Sequence, residues 1–118
     1  MRSSRHKYGA RKTTVDGITF DSKFEAQRYG ELKLLARAGE LFDLELQPRF
    51  QIYPAFTDGD GKKHRGIVYV ADFKYREIGN ERLVVEDVKG VETPVFKLKL
   101  KMWKRLFSES HEFRMVKR

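Results

Sequence analysis

The chain has 118 residues, enough for one domain with a single modest core and too few for two. Hydrophobic residues make up 40% and aromatics 13%, which excludes a disordered chain, and the absence of cysteine excludes disulfides, thiol nucleophiles and cysteine-based zinc sites. A net charge of +8 favours a polyanionic partner, nucleic acid being the commonest, over a basic protein with no such ligand or one that meets an anionic membrane.

Residues 1–14 carry Arg2, Arg5, Lys7, Arg11 and Lys12 among Ser, Thr and Gly, with little to bury. They predict a flexible basic arm, which lies along a phosphate backbone or remains a solvated tail. Asp16-Gly17 predicts a turn, with Ile18 and Phe20 as apolar anchors. A helix then runs from a capping box at Ser22 and Glu25 to about Ala38, where Gly39 stops it. Phe24, Tyr29, Leu32, Leu35 and Ala36 share one face of that helix. Glu25 falls inside the apolar face, where capping and ligand duty are both open readings.

Residues 44–53 alternate as a strand, with an edge position or a bulge at Pro48, which cannot donate to a ladder. The following Asp58-Gly59-Asp60-Gly61 resembles a calcium loop only superficially. Lys62 and Lys63 occupy the places where an EF-hand needs an oxygen ligand and a glycine, so a hairpin loop is predicted. Residues 66–76 and 82–89 give the second and third strands, joined by a turn at Gly79-Asn80 into an antiparallel meander. Thr93-Pro94 starts a second helix that continues to about Phe107. Val95, Phe96, Leu100, Met102, Trp103, Leu106 and Phe107 form its buried side. Opposite them Lys97, Lys101, Lys104 and Arg105 make a basic stripe, read either as a solvated face or as a phosphate-facing one. Lys99 falls toward the apolar side, where snorkelling is its only account. Residues 112–117 form a last strand, and a right-handed crossover lays it parallel to 82–89. No apolar run approaches the roughly 20 residues of a membrane span, and no signal peptide is evident, so the expected compartment is the cytoplasm.

The chemistry concentrates between Val70 and Lys89. Each of two β-rich runs carries an acid at its apolar heart, Asp72 and Asp87. Asp87 and Lys89, two apart on one strand, point to the same face. If Asp72 faces them, two carboxylates and one ammonium converge, and two buried carboxylates call for a cation. Oxygen ligands with open positions suit Mg²⁺ or Mn²⁺. The alternative for Asp87 and Lys89 is a strand-end ion pair. His6, His64 and His111 are scattered and have neither metal spacing nor a Ser/His/Asp arrangement.

Asp72, followed by Asp87-Val88-Lys89 at the end of the next strand, resembles the signature of the PD-(D/E)XK nuclease superfamily. The order αβββαβ resembles its restriction-endonuclease-like core, an α/β fold with a three-stranded antiparallel meander plus a parallel strand, flanked by helices. Ala71 stands where the superfamily's name has Pro. Lys7-Tyr8-Gly9, the run from Val15 to Ala26, and Leu46-Gln47-Pro48-Arg49-Phe50 are similar to a phage- and prophage-encoded endonuclease family often described as Holliday junction resolvases.

That resemblance implies a nuclease domain over residues 15–118, in a bacterial or phage-infected cell, hydrolysing phosphodiester bonds with Mg²⁺ or Mn²⁺. Asp72, Asp87, the Val88 carbonyl and Glu25 are its implied metal ligands. Lys89 is implied to steady the attacking water or the charge on the phosphorane, Gln47 to orient the site, and Lys97 to touch phosphate. DNA would also meet Arg2, Arg5, Lys7, Arg11, Lys12, Lys101 and Lys104. The substrate expected first is branched DNA, cut by a homodimer, because a junction needs two symmetry-related nicks. Duplex nicking or DNA-end processing by the same chemistry is the alternative, and a non-catalytic basic DNA-binding protein is another. No membrane partner and no small-molecule cofactor are expected.

Overall fold

Asp16 and Gly17 take φ of 54° and 76°, and they turn the chain back on itself near its start. They join β1 (Thr13–Val15) to β2 (Ile18–Phe20) as an antiparallel pair. The computed structural model describes residues 12–117, so the predicted contacts of Arg2, Arg5, Lys7 and Arg11 lie outside the described residues. Of the residues 1–14 predicted as an arm, only 12–14 are described. Thr13 and Thr14 belong to β1, and Lys12 is ion-paired to Asp21 at 3.1 Å.

α1 (Lys23–Arg37) begins at Ser22, whose hydroxyl accepts the Glu25 amide at 3.1 Å. It ends as predicted at Gly39, φ 78°, where the Gly39 and Glu40 amides donate back to Ala36 and Leu35. Its buried residues are Ala26, Tyr29 and Leu32, whereas Phe24 and Leu35, expected on the apolar face, are exposed. The helix covers only a narrow strip of sheet, so residues at the margins of its apolar arc stay in water.

The sequence suggests one strand over 44–53 and one over 66–76. The structure breaks each in two. β3 (Leu41–Leu46) and β4 (Arg49–Tyr53) flank Gln47-Pro48, and β7 (Ile67–Val70) and β8 (Phe73–Glu77) flank Ala71-Asp72. Between β4 and β7 lies a short pair, β5 (Phe56–Thr57) and β6 (Lys63–His64), closed by the predicted loop at Asp58. Pro48 offers no N–H, and Gln47 takes a φ of 50°, so the ladder cannot run straight through. Instead the Gln47 amide donates to the Asp72 carbonyl at 2.9 Å and the Ala71 amide to the Pro48 carbonyl at 3.1 Å. The hairpin thereby leaves one sheet and enters another.

β9 (Leu83–Lys89), α2 (Pro94–Phe107) and β10 (His111–Lys117) complete the chain. The main sheet is mixed, in the order β10-β9-β8-β3, with β3, β8 and β9 antiparallel and β10 parallel to β9. β4 and β7 form a separate antiparallel ribbon. The described residues thus form an α/β fold with a mixed sheet and two helices. β9 lies inside the sheet and is buried from Val84 to Val88, and its alternating side chains feed two cores. Val84 and Val88 join Leu32, Tyr29, Phe73 and Tyr75 on the α1 side. Val85 joins Phe50, Ile52, Tyr69, Phe96 and Trp103 on the α2 side.

Thr93 caps α2 by accepting the Phe96 amide at 3.1 Å, with Pro94 at the first helical position. Of its predicted apolar side, Phe96 and Trp103 are buried, but Val95 and Leu106 are exposed, because only one edge of the helix meets the ribbon and sheet. Trp103 is ringed by Phe50, Phe107, Phe113 and His111, and its indole N–H has no hydrogen-bond partner among the described residues. Lys99 reaches over the ribbon to donate to the Val68 carbonyl at 3.1 Å, which accounts for its place on the apolar side. Among the described residues no helix is long and apolar enough to cross a membrane.

Candidate active site

Where the strands break, main-chain groups are freed and an acidic cluster takes them up. The Asp72 amide donates to the Glu86 carbonyl at 3.0 Å, which ties the break to β9. Its carboxylate Oδ2 accepts the Val88 amide at 2.7 Å, one residue beyond Asp87. Asp87 is buried on the α2 face. Its Oδ2 accepts the Tyr69 hydroxyl, and its Oδ1 lies 3.5 Å from Lys89 Nζ. The Lys89 ammonium also sits 4.5 Å from the centre of the Phe96 ring. Asp87 and Lys89 share a face, as their spacing predicts.

Burial raises the Asp72 carboxyl to about 9, helped by the charges of Asp87 and Glu25 and opposed by the Val88 amide. Glu25, in the first turn of α1, is pushed up by burial and by the charge of Asp21. Asp72 and Lys89 act in the opposite direction. Glu25, Asp72, Asp87 and Lys89 therefore lie within electrostatic reach of one another. Glu25 also keeps its capping role, with its amide on Ser22 and its carboxylate 3.5 Å from the Ser22 hydroxyl. Burial likewise raises the Tyr69 hydroxyl, next to the Asp87 charge, so it remains a donor to that carboxylate.

Among the described residues no set of three or more His, Asp or Glu side chains is already gathered around a single metal-sized point. The donor chemistry nevertheless fits a hard dication. Two carboxylates of low exposure, Asp72 and Asp87, lie close enough to interact, and one ammonium stands 3.5 Å from Asp87. Asp72 is raised first by burial and then by the Asp87 charge, both of which a bound cation would offset. Asp72, Asp87 and the Val88 carbonyl are all-oxygen donors, with Glu25 close behind.

Gln47 touches the cluster through its main chain, which braces Asp72, while its side chain is exposed. Lys97, Lys101 and Lys104 line the exposed side of α2, and no hydrogen bond or ion pair among the described residues joins Lys97 to the cluster. Lys104 lies 5.7 Å from the Phe113 ring centre.

Sequence reasoning missed Tyr69, Arg28, Tyr75 and Glu86. Glu86 is fully buried on the α1 face, held by Arg28 through two hydrogen bonds of 2.8 and 2.7 Å and by the Tyr75 hydroxyl. Glu25 and Arg28 are three apart on α1, a spacing that could have flagged Arg28 as aimed at the same strand. A cavity of about 620 Å³ lies nearby, lined in part by Arg28, Tyr75, Glu77 and Arg114. Its two arginines are already engaged by carboxylates.

Mixed sheet, two flanking helices and an acidic cluster with one lysine at a strand break define the class of protein in structural terms. The family model described as "Protein of unknown function (DUF1064)" matches residues 5–118, and the chain belongs to that family. No curated protein and no solved structure matches the chain.

Proposed function

We propose that the chain is a metal-dependent DNA endonuclease with a restriction-endonuclease-like core of the PD-(D/E)XK type, acting on branched DNA as a homodimer. The observation that carries the reading is the Asp72–Asp87–Lys89 cluster, with Asp72 on the Val88 amide and Lys89 3.5 Å from Asp87. The net charge of +8 supports a phosphate-rich substrate.

Asp72, Asp87 and the Val88 carbonyl would hold Mg²⁺ or Mn²⁺, with Glu25 completing the set. A bound ion of this kind supplies Lewis-acid polarisation of a phosphate oxygen and a lowered pKa for water. Tyr69 fixes the Asp87 carboxylate by occupying Oδ2, and Val88 fixes Asp72, so neither acid spends reorganisation energy in the reaction. Lys89 would present its ammonium to the non-bridging oxygens, on which negative charge grows as the phosphorane forms. Water oxygen bonds to phosphorus and releases a proton to the solvent, the ester P–O bond breaks, and the departing oxygen takes up a proton from the solvent.

The test is cleavage of a four-way junction, a flap and a linear duplex in Mg²⁺ and Mn²⁺. Wild type is expected to cut the junction fastest. Asp87→Asn and Lys89→Ala are expected to lose at least a hundredfold in rate, while Asp87→Asn binds DNA as well as wild type or better, having lost a negative charge near phosphate. Asp87→Asn protein cutting at the wild-type rate would falsify the site. Wild type that binds but never cuts would leave a DNA-binding protein instead.

A further inference from the structure

Beyond the acidic cluster, the β4–β7 ribbon and its β5–β6 tip form a second surface that the proposed chemistry does not use. One face of the ribbon is spoken for, since Phe50, Ile52 and Tyr69 are buried in the α2-side core. Arg49, Gln51 and Tyr53 alternate onto the other face and are exposed. At the tip Phe56 is 44% exposed and stacks on His64 with ring centres 4.7 Å apart and planes at 13°. Tyr53 packs edge-on against Phe56 at 6.0 Å.

The stacked pair is built in advance. Asp58 Oδ1 accepts the Asp60 and Lys62 amides at 2.8 and 3.0 Å, closing the loop, and its Oδ2 lies 2.8 Å from His64 Nε2, fixing the ring under Phe56. Gly66 fixes the bend at the base of the tip, where an added Cβ would lie 2.7 Å from the Tyr53 carbonyl oxygen. Lys62, Lys63 and Arg65 flank His64 in the chain and are exposed, Arg49 is exposed at the base of the ribbon opposite Val70, and none of the four enters an ion pair among the described residues. Asp58 is consumed by the loop and His64, which leaves only Asp60 at the tip to oppose them.

We infer that this ribbon is a nucleic-acid strand-binding arm whose Phe56–His64 platform stacks an unpaired base while the flanking cations hold its phosphates. Exposed rings within a positive border match a polyanion that carries flat faces. A pre-built platform spends little entropy on binding. The inference rests on the DNA reading above and adds to it a preference for strands with unpaired bases. The ribbon springs from the break that holds Asp72, eight residues from His64, so the platform lies at most about 28 Å from the cluster. That distance spans about eight nucleotides at 3.4 Å each, which places the unpaired base within that range of the scissile bond.

Binding without cleavage tests the arm separately from the nuclease. Wild type, Phe56→Ala and the triple variant Lys62→Gln, Lys63→Gln, Arg65→Gln are titrated by fluorescence anisotropy in EDTA. The probes are a 30-nucleotide single strand, its duplex, and that duplex with a single-stranded flap. Phe56→Ala is expected to weaken the single strand and flap about tenfold and to leave the duplex within about twofold. The triple variant is expected to weaken all three and to flatten the salt slope by about 2 to 3. All four side chains are exposed, so melting temperatures are expected to hold. If Phe56→Ala loosens the hairpin, the triple variant still decides whether the surface meets DNA. Unchanged affinity and slope in both variants overturn the arm, as does equal loss on duplex and flap for Phe56→Ala. Wild type with ribbon-dependent binding that never cuts in Mg²⁺ removes the nuclease and keeps the arm. Wild type that cuts while both ribbon variants bind normally does the reverse.

Discussion

Glu86 and Asp87 are neighbours on β9 and point to opposite faces of the sheet, so two adjacent acids serve different ends. Asp87 meets Tyr69 and Lys89 at the strand break, whereas Glu86 is neutralised within the α1-side core by Arg28 and Tyr75. Burial of the Glu86 charge is tolerable because the guanidinium meets both carboxylate oxygens in a fork. Its hydrogen bonds to Glu86 raise the Arg28 guanidinium further, so it stays charged throughout the accessible pH range. Arg28→Met would leave the Glu86 carboxyl with Tyr75 alone, and urea unfolding is expected to show a loss of about 3 to 5 kcal/mol. Adding Glu86→Leu to that variant is expected to restore most of it, since an apolar pair of similar volume fits the same space. A double variant no more stable than the single one would mean that the pair contributes through attraction and not through mutual neutralisation. The Asp87 and Lys89 pairing was legible from their spacing of two. For Arg28 the spacing of three from Glu25 gives the helix face alone, and its pairing with Glu86 was not legible, because the contact spans 58 residues and only the packing of α1 on β9 creates it.

Helix ends, turns and the parallel last strand were legible because each rests on local chemistry. Ser22, Gly39, Thr93-Pro94, Asp16-Gly17 and the Asp58 loop all act where the sequence suggests. The strand breaks were only half legible. Pro48 announces a fault in its own strand, but nothing local marks Ala71-Asp72 as its mirror image. That second break follows from the first, because the partner of a broken strand must bend with it. The exposure of Phe24, Leu35, Val95 and Leu106 was hidden for a related reason: periodicity defines a helix face, not how much of it a neighbour covers. The seam between α2 and β10 illustrates what such contacts do. His111 opens β10 with its ring edge-on to Phe50, Trp103 and Phe107 at 5.6, 5.9 and 5.6 Å. Burial lowers its pKa below the usual 6.5, with the Lys74 charge adding to the effect. The unfolded chain therefore takes up this proton first, so the seam's contribution is complete above about pH 6.5 and declines as pH falls through the lowered value. Thermal melts at pH 7.5 and 5.0 are expected to show a larger drop for wild type than for His111→Phe. Equal drops would mean that His111 titrates alike in both states.

At the scale of the whole molecule, the unpaired positive charge of the described residues gathers on two exposed features, the outer side of α2 and the ribbon tip, while most of their other charges are paired within the fold. Among the described residues, Lys97, Lys101 and Arg105 on α2 and Lys62, Lys63 and Arg65 at the tip are six exposed cations that enter no ion pair and are open to phosphates. If all six engage, counterion release sets a slope of about −5 in log affinity against log salt, or about a thousandfold loss between 50 and 200 mM. A chain this short devotes its elements to one cluster and one ribbon, and it offers a single set of Asp72, Asp87 and Lys89. Resolving a four-way junction takes two nicks related by symmetry, so the proposed activity requires two copies about a two-fold axis. Light scattering is expected to give a dimer at micromolar concentration, and titration is expected to give two chains per junction with both nicks in one encounter. The salt slope of the junction complex should then exceed that of a linear duplex, because both copies meet phosphate at once. A strict monomer that cuts linear duplex as readily as a junction would remove the resolvase reading and leave the hydrolytic site in place. A dimer that nicks each junction once and releases it would place the second active site out of reach of the DNA, so the symmetry argument would fail even though the chain pairs.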